Sequence, residues 1–312
     1  MSRIVIIGAG AVGSFLGLRL HASGHEVLLI ARGDRLAALR TNGVLLSQGG
    51  ELLQVHVPVS TACDPGMTPD HVIIATKTFQ LDAALALLKP LRTSRFTLLT
   101  VQNGIEAPGI AQAALPHAAV LGSRMHGFFE LEEGIVHHTG VAASLMVGPV
   151  GIPQPRRTGE TIAQAQLVEG LVASFIPTAL VSDIRPVLWD KFLMAATIGG
   201  VAPAFELKVG QVLTDPQANA LLVAAMHEVA RIAAAHGVEL PRDCVGQKLD
   251  FIRRFPPDVT SSLQRDLEAG LESEFDQLTG AIPRFAEQSG LACPAADEII
   301  ERLRARGLRL TR

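Results

Sequence analysis

Few stretches restrict a fold as tightly as Arg3 to Gly13, which reads RIVIIGAGAVG. A short apolar, β-branched run meets glycines at Gly8, Gly10 and Gly13, and a helix is expected from Ser14 to about Ser23. Gly8 makes the tight turn, Gly10 lets the backbone approach a pyrophosphate, and Gly13 lets helix and strand pack closely, so that the helix N-terminus faces the anion. A second strand, His25 to Ala31, arrives about twenty residues after the turn, as a dinucleotide-binding βαβ unit requires. Gly8, Ala9, Gly10, Ala11, Val12 and Gly13 are therefore the cofactor-binding candidates, with a purely structural turn as the alternative.

The end of the second strand bears on which dinucleotide is bound. NAD sites usually place Asp or Glu there for the ribose 2′-hydroxyl, whereas this chain has Ala31 followed by Arg32, with Arg35 nearby. An arginine fork binds a 2′-phosphate that a carboxylate would repel, which favours NADP(H). Asp34 opposes that preference, unless it only caps the next helix. The alternation over Val44 to Val59 reads as a strand pair inserted in the sheet. His71 to Thr76 and Phe96 to Val101 read as buried parallel strands ending in Lys77 and in Gln102-Asn103-Gly104. Ligands of open α/β sheets lie outside the carboxyl ends of the strands, so Lys77 and Asn103 are site candidates, though either also suits a loop or turn. Val120 to Phe129 and Gly134 to Val147 read as a smaller antiparallel addition, a polar loop is expected over 156–159, and a helix over Glu160 to Ser174 leads to a last strand near Ile176 to Val181.

A chain of 312 residues exceeds one ordinary core, and 48% hydrophobic against 18% charged residues supplies apolar surface for two cores and permits a homodimer. A net charge of −3 argues against nucleic acid or an anionic membrane as partner. The longest uncharged run, Gly134 to Pro155, is broken by glycines, prolines and two histidines, so no membrane span is expected. The opening residues do not resemble a signal peptide, and Cys63, Cys244 and Cys293 lack metal-ligand spacing; both point to the cytoplasm. His126, His137 and His138 have no carboxylate or cysteine at ligand spacing, so no metal is expected. The absence of tyrosine excludes the Tyr-dependent chemistry of short-chain dehydrogenases and aldo-keto reductases.

From Ser182 the pattern changes to helices. Ser182 or Asp183 is placed to cap a helix that tolerates Pro186 in its first turn and is apolar on most sides, with Lys191 in its middle. A lysine among apolar neighbours either has a partner or task, or lays its stem along the core with its ammonium in water. Further helices are expected from Asp215-Pro216 to Gly237, over Arg242 to Phe255, from Ser261 or Ser262 to Glu268, over Glu274 to Gln288 and over Ala295 to Arg306. The expected fold class is α/β: an N-terminal Rossmann-type doubly wound sheet over residues 1–182, binding NADP(H), and a C-terminal all-helical domain over 183–312 for substrate and catalysis.

These residues together resemble the ketopantoate reductase family, the 2-dehydropantoate 2-reductases of pantothenate and coenzyme A biosynthesis. The likeness runs over nearly the whole chain: GAGAVG, Arg32, ATK ending in Lys77, QNG with Asn103, LWDKF with Lys191, SSLQRD with Ser262 and Asp266, and SEFDQLTG with Glu274, Asp276 and Gly280. The resemblance implies NADPH held between a nucleotide domain and a helical domain, and reduction of a small 2-oxo acid. It also implies catalytic roles for Lys191, as proton donor, and for Glu274, which closes the site and touches the cofactor. Asn103 and Lys77 would contact cofactor and substrate, and Ser262 would help hold the substrate. Without the family pattern, Ser262 reads as a helix cap and Glu274 as part of a solvated helix face.

The chemistry agrees with those residue types. Hydride arriving at a ketone carbon leaves charge on its oxygen, which an ammonium stabilises and then protonates. The chain departs from the family where asparagines usually follow the lysine by four and eight residues, since these places are Ala195 and Gly199, and a later asparagine position falls near Val209. A smaller, more apolar pocket floor is expected, suited to a hydroxyl-poor or bulkier 2-oxo acid at least as well as to ketopantoate. A non-catalytic NADP(H)-binding sensor is the remaining alternative.

Overall fold

The opening apolar run forms β1 (Arg3–Ile7), buried from Ile4 onward, and the glycine turn leads directly into α1 (Ala11–Ala22). The computed structural model describes residues 1–91, 94–151 and 158–310, and the chain divides into two units, Met1–Gln102 with Glu106–Ile184, and Asn103–Ile105 with Arg185–Arg312.

The first unit continues with β2 (Glu26–Ile30), α2 (Gly33–Asn42), β3 (Val44–Gln48), β4 (Glu51–Val55), β5 (Val59–Ser60), β6 (His71–Ile74), α3 (Leu81–Ala86) and β7 (Thr97–Thr100). After the three-residue excursion into the second unit come α4 (Ala107–Ala114), β8 (Ala119–Glu132), β9 (Ile135–Gly148), α5 (Thr158–Ala173) and β10 (Thr178–Leu180). The described strands form one ten-stranded mixed sheet in the order β4-β3-β9-β8-β7-β6-β1-β2-β5, with β10 on β9. Its centre is parallel, as near-continuous apolar strands such as HVII and TLLT demand when both faces are covered. The expected antiparallel addition is not a separate layer: β8 runs parallel to β7 and then pairs antiparallel with β9 over most of 14 residues, extending the same sheet. The strand pair β3–β4 joins through β3, parallel to β9, which leaves β4 at the edge. Of the polar loop expected over 156–159, the first two positions lie outside the described residues and the last two open α5.

The second unit is helical: α6 (Arg185–Ala204), α7 (Val209–Val212), α8 (Pro216–Ala235), α9 (Cys244–Ile252), α10 (Ser262–Glu268), α11 (Ala281–Gln288) and α12 (Pro294–Ala305). Helix α6 is its axis, with Phe192, Leu193, Ala196, Ile198 and Val201 all buried. A side chain such as Phe192 contributes about 2–3 kcal/mol by leaving water. Neighbours approach α6 closely at Gly200, where a Cβ would stand 2.7 Å from Thr279 Cγ2, and the Thr279 hydroxyl donates to the Ala196 carbonyl at 2.7 Å. Asp215 caps α8 by accepting from the amides of Gln217 and Ala218. Helix α8 is long and apolar enough to cross a membrane by length and composition, but Leu222, Ala225, Met226 and Val229 are buried in this unit's own core. Its buried Glu228 accepts from the amides of Ala295 and Ala296 at 2.7 and 3.0 Å, satisfying the first turn of α12 from a different helix.

Two helical expectations change. The helix expected over Glu274 to Gln288 is broken: a 3-10 turn at Phe275–Gln277 is followed by Leu278 at φ −118°, ψ −103°, and α11 starts only at Ala281. Phe275 explains the break, because its buried ring folds to within 2.8 Å of where a Gly280 Cβ would stand, and only a glycine fits beneath it. Helix α9 is shorter than Arg242 to Phe255 at both ends. Helix α6 begins at Arg185, and Asp183 Oδ1 accepts from the Gly151 amide at 3.0 Å.

Candidate active site

In the first unit the glycine turn is shaped by missing side chains. Gly8 has φ +100°, and a Cβ there would meet the Thr76 amide nitrogen at 2.7 Å. At Gly13 a Cβ would overlap the Gly8 carbonyl oxygen at 1.9 Å, so β1 and α1 pack only around a hydrogen. Gly10 differs, since its φ of −70° and ψ of −163° are open to any residue and nothing lies within 4 Å of its Cβ position. The packing of the turn gives no reason for glycine there, whereas a ligand close to the backbone does. Gly10 is also the N-cap of α1 and supplies no side-chain cap, so the first amides of the helix face the same open space. The arrangement fits a pyrophosphate.

Arg35, grouped with Arg32 in the sequence, has a different place. Its Nε donates to the Ala9 carbonyl at 2.8 Å, one terminal nitrogen to Ser14 Oγ at 2.9 Å and the other to the Gly134 carbonyl at 3.1 Å. It braces the turn from behind, a role that sequence spacing does not reveal because its partners lie up to 99 positions away. Arg32 is exposed at the N-cap of α2, and Asp34 is exposed in the first turn of that helix. Lys77 follows β6, half-buried, at the start of a 3-10 turn over Thr78–Gln80. A cavity of about 520 Å³, bordered by Arg3, His21, His25 and Met67, lies at the opposite, N-terminal ends of β1 and β2, away from the turn.

The second unit gathers three of the sequence candidates. Lys191 Nζ donates to Asn103 Oδ1 at 2.9 Å, and Asn103 Nδ2 donates to Glu274 Oε2 at 2.9 Å. One amide thus joins a cation to an anion, and the two charges determine which way it faces. Glu274 is buried, whereas Asn103 and Lys191 are half-buried. The segment carrying Asn103 is held by Ile105 against the helical core, and Gly104, at φ +85°, brings the backbone to the Gln277 carbonyl. Beside Lys191, Asp190 pairs with Lys248 of α9 at 2.5 Å, which fixes the rotation of α6. Ser262 is half-buried in the first turn of α10, and it is Ser261, not Ser262, that caps this helix by accepting from the Gln264 amide. A half-buried ammonium held by a neutral oxygen is equipped to polarise a carbonyl and deliver a proton.

The model of the family described as Ketopantoate reductase PanE/ApbA matches residues 4–151, and that of its C-terminal part matches residues 183–307. The chain belongs to the ketopantoate reductase family. As a member of the ketopantoate reductase family it is an oxidoreductase, with a mixed-sheet domain and a helical domain. The 2-dehydropantoate 2-reductase of Pyrococcus horikoshii is 26% identical over 297 residues, 94% of this chain and 93% of that protein. Among solved structures, a PanE/ApbA family ketopantoate reductase from Ralstonia eutropha is 28% identical, with a TM-score of 0.84 over 97% of both chains. D-mandelate dehydrogenase with NADH and anilino(oxo)acetate shares the fold at 24% identity, with a TM-score of 0.85 over 97% of both chains.

Proposed function

We propose that this protein reduces a 2-oxo acid to the 2-hydroxy acid with NADPH, with 2-dehydropantoate, the oxo acid of pantothenate and coenzyme A biosynthesis, as the reference substrate. The observation that carries the reading is the hydrogen-bonded series Lys191–Asn103–Glu274. In this reading residues 1–182 bind the dinucleotide through Gly8 to Gly13 and Arg32, and residues 183–312, joined by Asn103, carry the substrate chemistry. NADPH held at the glycine turn would supply the hydride for C2 of the substrate. The Lys191 ammonium stabilises the charge that develops on the carbonyl oxygen and gives that oxygen its proton, and the neutral amine is then reprotonated from solvent. Asn103 holds the ammonium in place. Glu274 orients Asn103 and balances the charge of Lys191, while Ser262 and Lys77 hold the polar ends of substrate and cofactor. The exposed Arg32 and the lack of a carboxylate at the end of β2 support NADPH over NADH.

Lys191→Ala is the test. The expected result is a kcat lowered by roughly 10²–10⁴-fold with an unchanged Kd for NADPH, measured by nicotinamide fluorescence. A variant with wild-type turnover would remove Lys191 from the chemistry.

A further inference from the structure

Between Arg185 and Ala195, helix α6 buries Leu188, Trp189, Phe192 and Leu193 and leaves a half-buried stripe that includes Val187, Lys191, Met194 and Ala195. Met194 and Ala195 follow the lysine by three and four positions and so lie beside its stem on the next turn. Neither offers a hydrogen-bond donor on its side chain, and the Met194 thioether is only a weak acceptor. One turn further, at Gly199, a Cβ would stand 3.2 Å from Leu263 Cδ2 and 3.5 Å from Leu263 Cβ. Leu263, itself buried, therefore fills the volume into which a longer side chain at 199 would have to project. Ser261 Oγ, 3.7 Å from that position, already accepts from the Gln264 amide. The hydroxyls of Thr197 and Thr279 donate to the carbonyls of Leu193 and Ala196 on α6 itself. Asn103 has its oxygen on Lys191 and its nitrogen on Glu274.

Resting on the reductase reading, we propose that Met194 and Ala195, backed by Leu263 across Gly199, form an apolar wall that selects the substrate. The preferred substrate is then a 2-oxo acid with a branched, unhydroxylated side chain. Lys191 and Ser262 take the oxo-acid head common to all candidates, and the wall discriminates at the other end. The two kinds of wall predict selectivities of opposite sign and unequal size. A site that hydrogen-bonds a substrate hydroxyl rejects the analogue lacking it by roughly 10⁴-fold or more, whereas an apolar site disfavours an added hydroxyl by only about 10²-fold.

Ketopantoate and 3,3-dimethyl-2-oxobutanoate differ by that one hydroxyl, and following NADPH oxidation with each is the experiment. The expected kcat/KM ratio is about 10–100 in favour of the dimethyl acid. A ratio below about ten, or preference for ketopantoate, overturns the apolar wall and leaves the reductase reading standing. Oxidation of NADPH with neither acid overturns the reductase reading itself. Ala195→Asn puts a hydrogen-bonding group on the stripe, and it is expected to move the ratio at least about tenfold toward ketopantoate with an unchanged Kd for NADPH. An unmoved ratio would show that this face of α6 does not border the substrate.

Discussion

The two units build their sites in opposite ways. At the glycine turn, the candidate site is shaped by atoms that are missing, and the three glycines lie within six consecutive residues. In the helical unit, the candidate site is made of polar atoms brought together, and Asn103 and Glu274 are 171 positions apart. A site of the first kind is written in local spacing, while one of the second kind is written in the fold. Substitutions should therefore act on the first through stability or ligand access, one glycine at a time, and on the second through loss of a shared bond.

The largest expected effect tests the first half of that contrast. Gly13→Ala places a methyl group 1.9 Å from a backbone oxygen, and a loss of about 4 kcal/mol or more, or failure to fold, is expected in urea denaturation. Gly10→Ala meets nothing within 4 Å, and should stay within about 1 kcal/mol of the parent while its NADPH affinity falls tenfold or more. If Gly10→Ala bound NADPH normally, the turn would be a structural feature only.

Acid should separate the units. His71, in β6, is 1% exposed, with neither ring nitrogen bonded among the described residues, and burial pushes its pKa down to about 4. Asp70 opposes that shift and His25 adds to it. The fold accepts the neutral ring, so its contribution is complete above the ordinary value near 6.5 and is lost as pH falls from there toward 4. The loss amounts to about 3 kcal/mol across the window, and hydrogen exchange should show it in the strands of the first unit. A His71→Val variant whose stability fell equally over that window would assign the effect elsewhere.

A smaller loss of stability than that caused by acid belongs to the helical unit. Glu228→Ala removes the carboxylate that bonds two amides at the start of α12, and should cost about 2 kcal/mol. Faster amide exchange at Ala295 and Ala296 with an unchanged Kd for NADPH is the expected result. A weakened Kd would mean that the two units do not respond independently.

The legible parts of the chain follow the same division. The βαβ unit, the buried parallel strands and the run of helices came through because strand-glycine-helix order and apolar periodicity are local signals. Lys191 stood out as a lysine in an apolar helix, and Glu274 only through the family pattern. What the sequence concealed depends on partners distant along the chain. Arg35 reads as a phosphate ligand until its bonds to Ala9, Ser14 and Gly134 appear. The Glu274 to Gln288 segment reads as one helix until the Phe275 ring is seen lying over Gly280. Gly199 reads only as a missing asparagine, and the position of Leu263 shows what stands beside it.

Asn103 to Ile105 sit with the helical unit although the chain on either side of them belongs to the sheet. A fragment cut at the obvious junction before Arg185 would keep α6 to α12 yet lose the amide that connects its cation to its anion. Dissecting or exchanging the halves of this enzyme at that junction would therefore yield a lysine without its anchor, and a tripeptide from the other half would have to travel with the helices.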